Sequence, residues 1–223
     1  MTNNYKTQNL IVLEHPLCEH NMSLLRDKNV NSDMFRNTLS RLAAMLIYEA
    51  TKSLPLECCP VETPLTTCEA KKLEKKTEII FVPILRAGLA LSAVASEIIP
   101  DASIQHVGMY RDEETLKPVW YYDKTPVEFK NSQDVRIFVL DPMLATGNSA
   151  KETVALFVKR GIAVENITFI SIISAPEGLE VLTKEFPALK IVTGKVDEKL
   201  NDRGYILPGL GDAGDRLFNT FEK

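Results

Sequence analysis

Short apolar runs alternate with amphipathic stretches from residue 78 onward, and this order limits the chain to few folds. Buried strands are predicted at residues 79–85, 104–110, 135–140, 167–174 and 189–193. Helices are predicted between them at residues 89–99, 150–160 and 177–185. Strands that alternate with helices of roughly ten residues are typical of a doubly wound, mostly parallel α/β sheet. Ligands bind such sheets at the carboxyl ends of the strands, so the residues that follow each strand are the first candidates for a site.

A further helix is predicted ahead of the alternating region. Residues 31–54 carry apolar side chains at helical spacing, and Asn31 or Ser32 can cap the first turn. Pro55 cannot continue the helix and stops it.

Two irregular segments complete a single predicted domain of residues 1–223. The segment 112–131 is polar, rich in turn formers and aromatic at Trp120 and its neighbours, which predicts a β-arm that protrudes from the sheet. Residues 197–223 are rich in Gly and Asp but keep apolar side chains, which argues against free disorder. We expect them to form a C-terminal hood that recognises a flat heterocycle by its edge.

The charge and cysteine content exclude several classes of protein. A net charge of −4 over 223 residues disfavours a nucleic-acid coat, which needs an excess of Lys and Arg. The four cysteines form no Cys-x-x-Cys pair, as expected for free thiols in a reducing compartment. No apolar run approaches the ~20 residues that cross a bilayer. We therefore expect a cytoplasmic protein with neither a nucleic acid nor a membrane as partner.

The strongest motif follows the third strand of the alternating region, where residues 140–149 read Leu-Asp-Pro-Met-Leu-Ala-Thr-Gly-Asn-Ser. Residues 146–149 offer two hydroxyls and unhindered N–H groups at a helix N-terminus, a combination that favours a phosphate cradle. Asp141 stands where a carboxylate can accept ribose hydroxyls or hold a magnesium-bound water. Spacing alone leaves an ordinary capped strand-to-helix turn equally open. The motif lacks the Gly-x-x-x-x-Gly-Lys of a P-loop.

Three weaker motifs follow other strands. Arg86, before Ala-Gly88, offers a planar fork for phosphate oxygens, although a solvated surface arginine fits the pattern too. Arg111 can add positive charge to the same pocket or form a surface ion pair with its acidic neighbour. Residues 204–215 hold four glycines, whose backbone groups can face a heterocycle; a flexible tail is the alternative.

Taken together, these segments resemble the uracil phosphoribosyltransferase family, which belongs to the type I phosphoribosyltransferases. The stretches that carry the resemblance are LDPMLAT at 140–146, YRDEETLKPV at 110–119 and GYILPGLGDAGD at 204–215. Residues 15–17 and 25–28 near the N-terminus also match. The resemblance spans nearly the whole chain and follows the family's order.

The resemblance implies transfer of ribose 5-phosphate from phosphoribosyl pyrophosphate (PRPP) to uracil, which yields UMP and pyrophosphate. The implied PRPP contacts are Arg86, Arg111, Asp141, Pro142, Met143, Leu144, Ala145, Thr146, Gly147, Asn148, Ser149 and Asp212. The implied uracil contacts are Ile206, Gly211, Asp212 and Ala213. Catalysis is assigned to Asp212 as the proton acceptor, Asp141 and Arg86. The resemblance also implies Mg²⁺ bound mainly through PRPP, activation by GTP in some members, and a homodimer or higher oligomer. Trp120 is a candidate lid over PRPP.

The chain departs from the family pattern at two places. Asn148 stands where the family usually has a second glycine, and asparagine is the non-glycine residue that best tolerates a positive φ. Residues 89–93 are bulkier than the family's glycine-containing stretch, so the packing beside the pyrophosphate loop is expected to differ from that of the family. Three alternatives stay open: a non-catalytic PRPP or nucleotide sensor, an enzyme of the same fold for another base, and a degenerate paralogue.

Overall fold

A computed structural model describes residues 9–111 and 118–220. The strands are β1 (Leu10–Val12), β2 (Leu56–Glu62), β3 (Thr67–Leu73), β4 (Glu78–Leu85), β5 (Ser103–Ile104), β6 (Val107–Arg111), β7 (Pro118–Asp123), β8 (Val135–Leu140), β9 (Met143–Leu144), β10 (Ile167–Ser174), β11 (Lys190–Val196), β12 (Lys199–Leu200) and β13 (Ile206–Leu207). The helices are α1 (Pro16–Arg26), α2 (Ser32–Thr51), α3 (Leu89–Ile98), α4 (Asn148–Lys159), α5 (Pro176–Glu185) and α6 (Ala213–Phe218).

The central sheet confirms the predicted doubly wound α/β fold. Among the described residues it has nine strands, and the main path runs β1-β11-β10-β8-β4-β6-β7. All neighbours on this path pair in parallel except β6 and β7, which are antiparallel. The carboxyl ends of β4, β8 and β10 therefore meet at one edge of the sheet.

Helices cover both faces of the sheet because its central strands are apolar on both sides. Ile79 and Phe81 of β4 pack into the core shared with α1, α2 and α3. Their neighbours Ile80 and Val82 pack into the core shared with α4 and α5. This alternation follows the two-residue period of a strand, and it explains why the sequence shows a continuous apolar run here.

Several element boundaries differ from the predictions. The helix predicted at residues 31–54 is α2, and the Asn31 side chain caps it by accepting the Met34 N–H. The strand predicted at residues 104–110 is divided into β5 and β6, which pair with successive parts of β4. The sequence patterns missed β1, α1 and the two-stranded hairpin of β2 and β3.

The predicted β-arm at 112–131 corresponds to a hairpin that starts earlier, at β6. Pairing of β4 with β6 ends at Leu85 and Gly108, whereas β6 and β7 stay paired up to Arg111 and Pro118, so the hairpin extends past β4. Residues 112–117, at its tip, lie outside the described residues. After β7 the chain turns back, and Thr125 is buried and contacts Arg160. The arm therefore ends near residue 123.

The C-terminal segment, predicted from the sequence to be irregular, contains regular elements. Strands β12 and β13 form an antiparallel ribbon, and α6 follows with Asp212 as its N-cap. α6 packs on α2, which brings the segment back over the carboxyl edge of the sheet. In the described part of the chain, no helix combines the length and apolar character needed to cross a membrane.

Candidate active site

A cavity of about 600 Å³ opens at the carboxyl edge of the sheet. Its walls come from the end of β4, the β6–β7 hairpin, the turn after β8 and the C-terminal segment. A smaller cavity of about 110 Å³ lies beside it, over the start of α4. Asp141, Met143 and Ala145 line both cavities, so the two are adjacent. Together they can hold one elongated ligand with chemically different ends.

The turn after β4 places Arg86 at the larger cavity. Its side chain is 60% exposed, and Nη2 lies 3.8 Å from Oδ1 of Asp215 in α6. Gly88 allows the turn to lie against β8, because a Cβ atom there would be 2.5 Å from the carbonyl oxygen of Leu140. The Arg86 guanidinium is thus held near the C-terminal segment while it remains accessible to an anion.

Asp141 follows β8 and lies between the two cavities. Burial raises the pKa of its carboxyl group to about 7, although the hydrogen bond donated by the Met143 N–H lowers it. The Met143 nitrogen and Asp141 Oδ1 are 3.2 Å apart. The folded chain therefore holds a carboxyl group that is ready to lose its proton when a ligand offers it hydrogen-bond donors.

The turn from Ala145 to Ser149 lines the smaller cavity at the N-terminus of α4. Gly147 has a φ of 78°, and the helix starts at the next residue. The first N–H groups of an α-helix have no partner inside the helix and carry partial positive charge. The Ser149 side chain also borders this cavity. The arrangement fits an anion of phosphate size.

Asn148 does not occupy the strained position that its glycine-rich context suggested. The positive φ belongs to Gly147, whereas Asn148 is the first residue of α4 and is exposed. A residue with helical φ needs no glycine. The bulkier stretch after Gly88 is likewise accommodated, because Leu91 is buried in the core while Leu89 is partly exposed. Neither departure from the family pattern blocks the backbone of the site.

We expect Gly147→Ala to weaken phosphate binding and to lower the free energy of unfolding by about 1–3 kcal/mol. A Cβ at this position would be forced into a left-handed conformation and would lie 2.9 Å from the carbonyl oxygen of Gly178. Gly161, just after α4, is a matched control, because its φ is 89° but its Cβ would meet nothing within 4 Å. Gly161→Ala should leave phosphate binding unchanged, and an equal effect of both changes on phosphate binding would contradict a role of the 147 turn in it.

The C-terminal segment forms the opposite wall of the larger cavity. Ile206, Gly211, Asp212 and Ala213, for which the resemblance implies contacts to uracil, all line it. Ile206 is buried in the ribbon, and Gly211 has a φ of 79°. Asp212 Oδ1 accepts the Asp215 N–H at 2.9 Å, so this carboxylate caps α6 while it borders the cavity.

Three predicted contacts are not among the lining residues. Pro142 is buried, and its carbonyl oxygen accepts the N–H groups of Ile172 and Ile173, so its role is to join the turn to β10. Asn148 is exposed beside the smaller cavity without lining it. Arg111 ends β6, and its side chain lies outside the described residues.

The predicted site residues leave out several residues that line the larger cavity, among them Met109, Tyr110, Tyr121, Arg203 and Tyr205. The aromatic arm was a signal for Tyr121, but Trp120 was chosen as the lid. Trp120 instead packs against the core beneath the sheet, while Tyr121 lies 6.4 Å from Tyr110 between ring centroids. Trp120 is not among the residues that line the cavity, and the β-bulge opposite Gly108 and Met109 separates its pairing from that of Tyr122.

A doubly wound sheet with one cavity over the start of α4 and a second cavity under the C-terminal segment fits a phosphoribosyltransferase, the class to which the matching family belongs. The family model of uracil phosphoribosyltransferase matches residues 12–220, and the chain belongs to this family.

Relatives and a solved structure agree along nearly the full length. The chain is 47% identical to the uracil phosphoribosyltransferase of Dictyoglomus thermophilum over 211 residues, which are 95% of this chain and 99% of that protein. It is 46% identical to that of Lactococcus lactis subsp. lactis over 209 residues, with 94% and 97% covered. The structure of the AQ2163 protein from Aquifex aeolicus superposes with a TM-score of 0.86 at 38% identity, and the match covers 96% of this chain and all of that one.

Proposed function

We propose that this chain transfers the phosphoribosyl group of PRPP to uracil, giving UMP and pyrophosphate. The observation that carries the proposal is the pair of adjacent cavities that share Asp141, Met143 and Ala145. A nucleotide has a phosphate end and a base end joined by a sugar. The smaller cavity fits the phosphate, the shared residues fit the sugar, and the larger cavity fits the base. Family membership supports the same assignment.

The smaller cavity takes the 5-phosphate, and Asp141 takes the ribose hydroxyls. The N–H groups of residues 146–149 anchor the phosphate away from the reacting carbon, and this remote binding orients the sugar. Ribose hydroxyls donate hydrogen bonds, which an ionised carboxylate accepts best. Sugar binding therefore draws Asp141 toward its charged form.

Arg86 stabilises the departing pyrophosphate. The reaction develops positive charge on the sugar ring and negative charge on the leaving group, so a guanidinium at the leaving-group side lowers the barrier. Mg²⁺ held through PRPP would supply further positive charge at the pyrophosphate. Within residues 9–111 and 118–220, no group of three His, Cys, Asp or Glu side chains could hold a metal. The Asp141 carboxylate could accept a hydrogen bond from a water bound to that ion.

The C-terminal wall recognises uracil. Ile206 supplies an apolar surface for the ring, and the backbone of Gly211 to Ala213 faces its polar edge. A fixed N–H opposite a uracil carbonyl would meet the amino group of cytosine with two donors opposed, which disfavours cytosine.

Asp212 is the proposed acceptor of the uracil proton. Its cap to α6 uses Oδ1, and a carboxylate has a second oxygen for the proton. Arg86 lies close by, because a Cβ on Gly214 would be 3.2 Å from Asp212 Oδ1 and 3.8 Å from Arg86 Nη2. The proposed proton acceptor, Asp212, and the arginine proposed to bind the departing pyrophosphate would thus lie on either side of Gly214.

The direct test is UMP formation by the purified protein from PRPP, Mg²⁺ and one of four bases: uracil, cytosine, hypoxanthine or orotate. We expect product with uracil alone. Product with another base would reassign the substrate. No product with any base, together with PRPP binding by calorimetry, would favour the sensor. Absence of both would favour the degenerate paralogue.

The same assay repeated with GTP tests the activation that the resemblance implies, and a higher rate with GTP is the expected result. A homodimer or higher oligomer and a cytoplasmic location are also proposed. The β2–β3 hairpin supports the oligomer, since Leu56, Leu65 and Leu73 on it are exposed. Light scattering of the purified protein should give a mass of at least twice 25.0 kDa, and a monomer mass would contradict the oligomer.

A further inference from the structure

The loop between Ile206 and Gly211 is held from behind by an ion pair that does not line the cavity. Arg26, the last residue of α1, and Asp197, which follows β11, form a two-pronged pair: Nη1 is 2.9 Å from Oδ2 and Nη2 is 2.5 Å from Oδ1. The Asp197 side chain is 3% exposed. A paired, bidentate geometry of this kind fixes both partners in direction as well as distance.

Both backbone groups of Gly209 are bound by this pair. The Gly209 N–H donates to Asp197 Oδ2 at 2.8 Å, and its carbonyl oxygen accepts from Arg26 Nη1 at 2.8 Å. Gly209 has a φ of 65°, and a Cβ there would overlap the carbonyl oxygen of Ile206. The backbone conformation of the loop is therefore restricted at Gly209, and the ion pair holds it.

A second arginine fixes the next residue. Arg216 Nη1 donates to the carbonyl oxygen of Leu210 at 2.8 Å, and its guanidinium also binds the carbonyl oxygens of Leu25 and Asp27. The guanidinium carbon lies 4.2 Å from the centroid of the Phe35 ring. Two consecutive carbonyl groups of the loop are thus tied to the end of α1 and the residue after it.

We propose that Arg26 and Asp197 are positioning residues for the heterocycle, acting through Gly209 on the residues that face it. The proposal rests on the proposed function, in which Ile206 and Gly211 to Ala213 contact uracil. Backbone donors discriminate between bases only when they cannot turn away, and fixed donors are the source of such specificity. Apart from Asp212, the described residues proposed to contact PRPP are Arg86 and the turn after β8, and the ion pair touches none of these.

Asp197→Asn and Arg26→Gln should each raise the KM for uracil by about tenfold or more, as expected for loss of a charge-assisted contact. The KM for PRPP should stay within about twofold. Arg26→Lys keeps the charge but lacks the fork, so it should recover only part of the loss.

A matched control joins the same two elements. Glu19 of α1 and Lys195 of β11 form an exposed pair at 2.6 Å that does not reach the loop. Glu19→Gln should leave both KM values unchanged. Wild-type protein that makes no UMP would remove the proposed function itself.

Active wild-type protein with variants that raise both KM values equally, or neither, would overturn the positioning role alone. Should Arg26→Gln not fold, because it leaves the buried Asp197 carboxylate unpaired, Asp197→Asn decides, since it leaves no buried charge and the Arg26 side chain is 25% exposed. Hydrogen exchange of wild-type protein gives a separate test. The Gly209 amide should exchange slowly without ligand, and fast exchange would also refute the proposal.

Discussion

Asp141→Asn is expected to make the protein more stable above pH 7 and about 10²-fold less efficient with PRPP. Asparagine keeps the shape and can still accept the Met143 N–H, but it carries no charge into a site where burial raises the carboxyl pKa to about 7. Each pKa unit is worth about 1.4 kcal/mol, and the cavity gives Asp141 some contact with solvent. We therefore expect a gain on the order of 2 kcal/mol at pH 8.

The direction of the pH dependence follows from proton binding. An unfolded aspartate has a pKa of about 3.9, so between that value and about 7 the folded wild type holds the extra proton. The stabilisation that comes from this proton is therefore fully present below about pH 3.9, declines as the pH rises, and is lost above about pH 7. The gain from Asp141→Asn should be large at pH 8 and small at pH 5. Denaturant unfolding at both pH values measures it.

The loss of activity has an independent cause. Hydrogen bonds to a charged group are worth about 1.5–3 kcal/mol, and the ribose hydroxyls lose such an acceptor. In the wild type, kcat/KM for PRPP should fall below pH 7. In the Asp141→Asn variant, the dependence of kcat/KM on pH should reflect only the titration of the PRPP phosphates. Asp101→Asn, in the exposed turn after α3, should change neither stability nor activity. A variant at Asp141 that loses stability at pH 8, or keeps full activity, would contradict the account.

Arg86→Ala should lower kcat/KM with PRPP by about 10²-fold or more, because it removes a donor that meets the charge on the departing pyrophosphate. The side chain is largely exposed and its ion pair with Asp215 is long, so the free energy of unfolding should change little. Steady-state kinetics beside thermal unfolding separates the two effects.

Arg86→Lys tests whether the charge alone or the two parallel N–H groups of arginine are needed. Lysine keeps the charge but cannot present two parallel N–H groups, so it should restore only part of the activity. Asp215→Asn removes the partner of Arg86 and should have a much smaller effect than Arg86→Ala. Near-normal turnover in Arg86→Ala would remove the assignment.

Local patterns were enough for the centre of the fold. The strands β4, β8 and β10 are continuous apolar runs, and such runs have few alternatives once helices separate them. The turn at 146–149 was recognisable as a candidate phosphate site, because its glycine, hydroxyls and helix start are neighbours in the chain, but an ordinary capped turn fitted the same pattern. The turn at 145–149 and the residues 206 and 211–213 line the cavities, apart from Asn148.

The remaining features depend on contacts between distant residues. Arg26 and Asp197 are 171 positions apart, and nothing local in either segment shows that they pair. The β2–β3 hairpin is mostly exposed and carries cysteines and charges, so it lacks the apolar alternation by which a half-buried strand is recognised. The comparison with the family's second glycine suggested a positive φ at Asn148, but the positive φ belongs to Gly147. The local pattern does not show at which residue the helix begins.

The central claim is that the turn at the start of α4 holds the 5-phosphate of the nucleotide. A crystal structure of the protein with UMP tests it most directly. The account predicts the phosphate within hydrogen-bonding distance of the N–H groups of residues 146–149, with the uracil ring against Ile206. A phosphate bound elsewhere while this turn stays empty would contradict it.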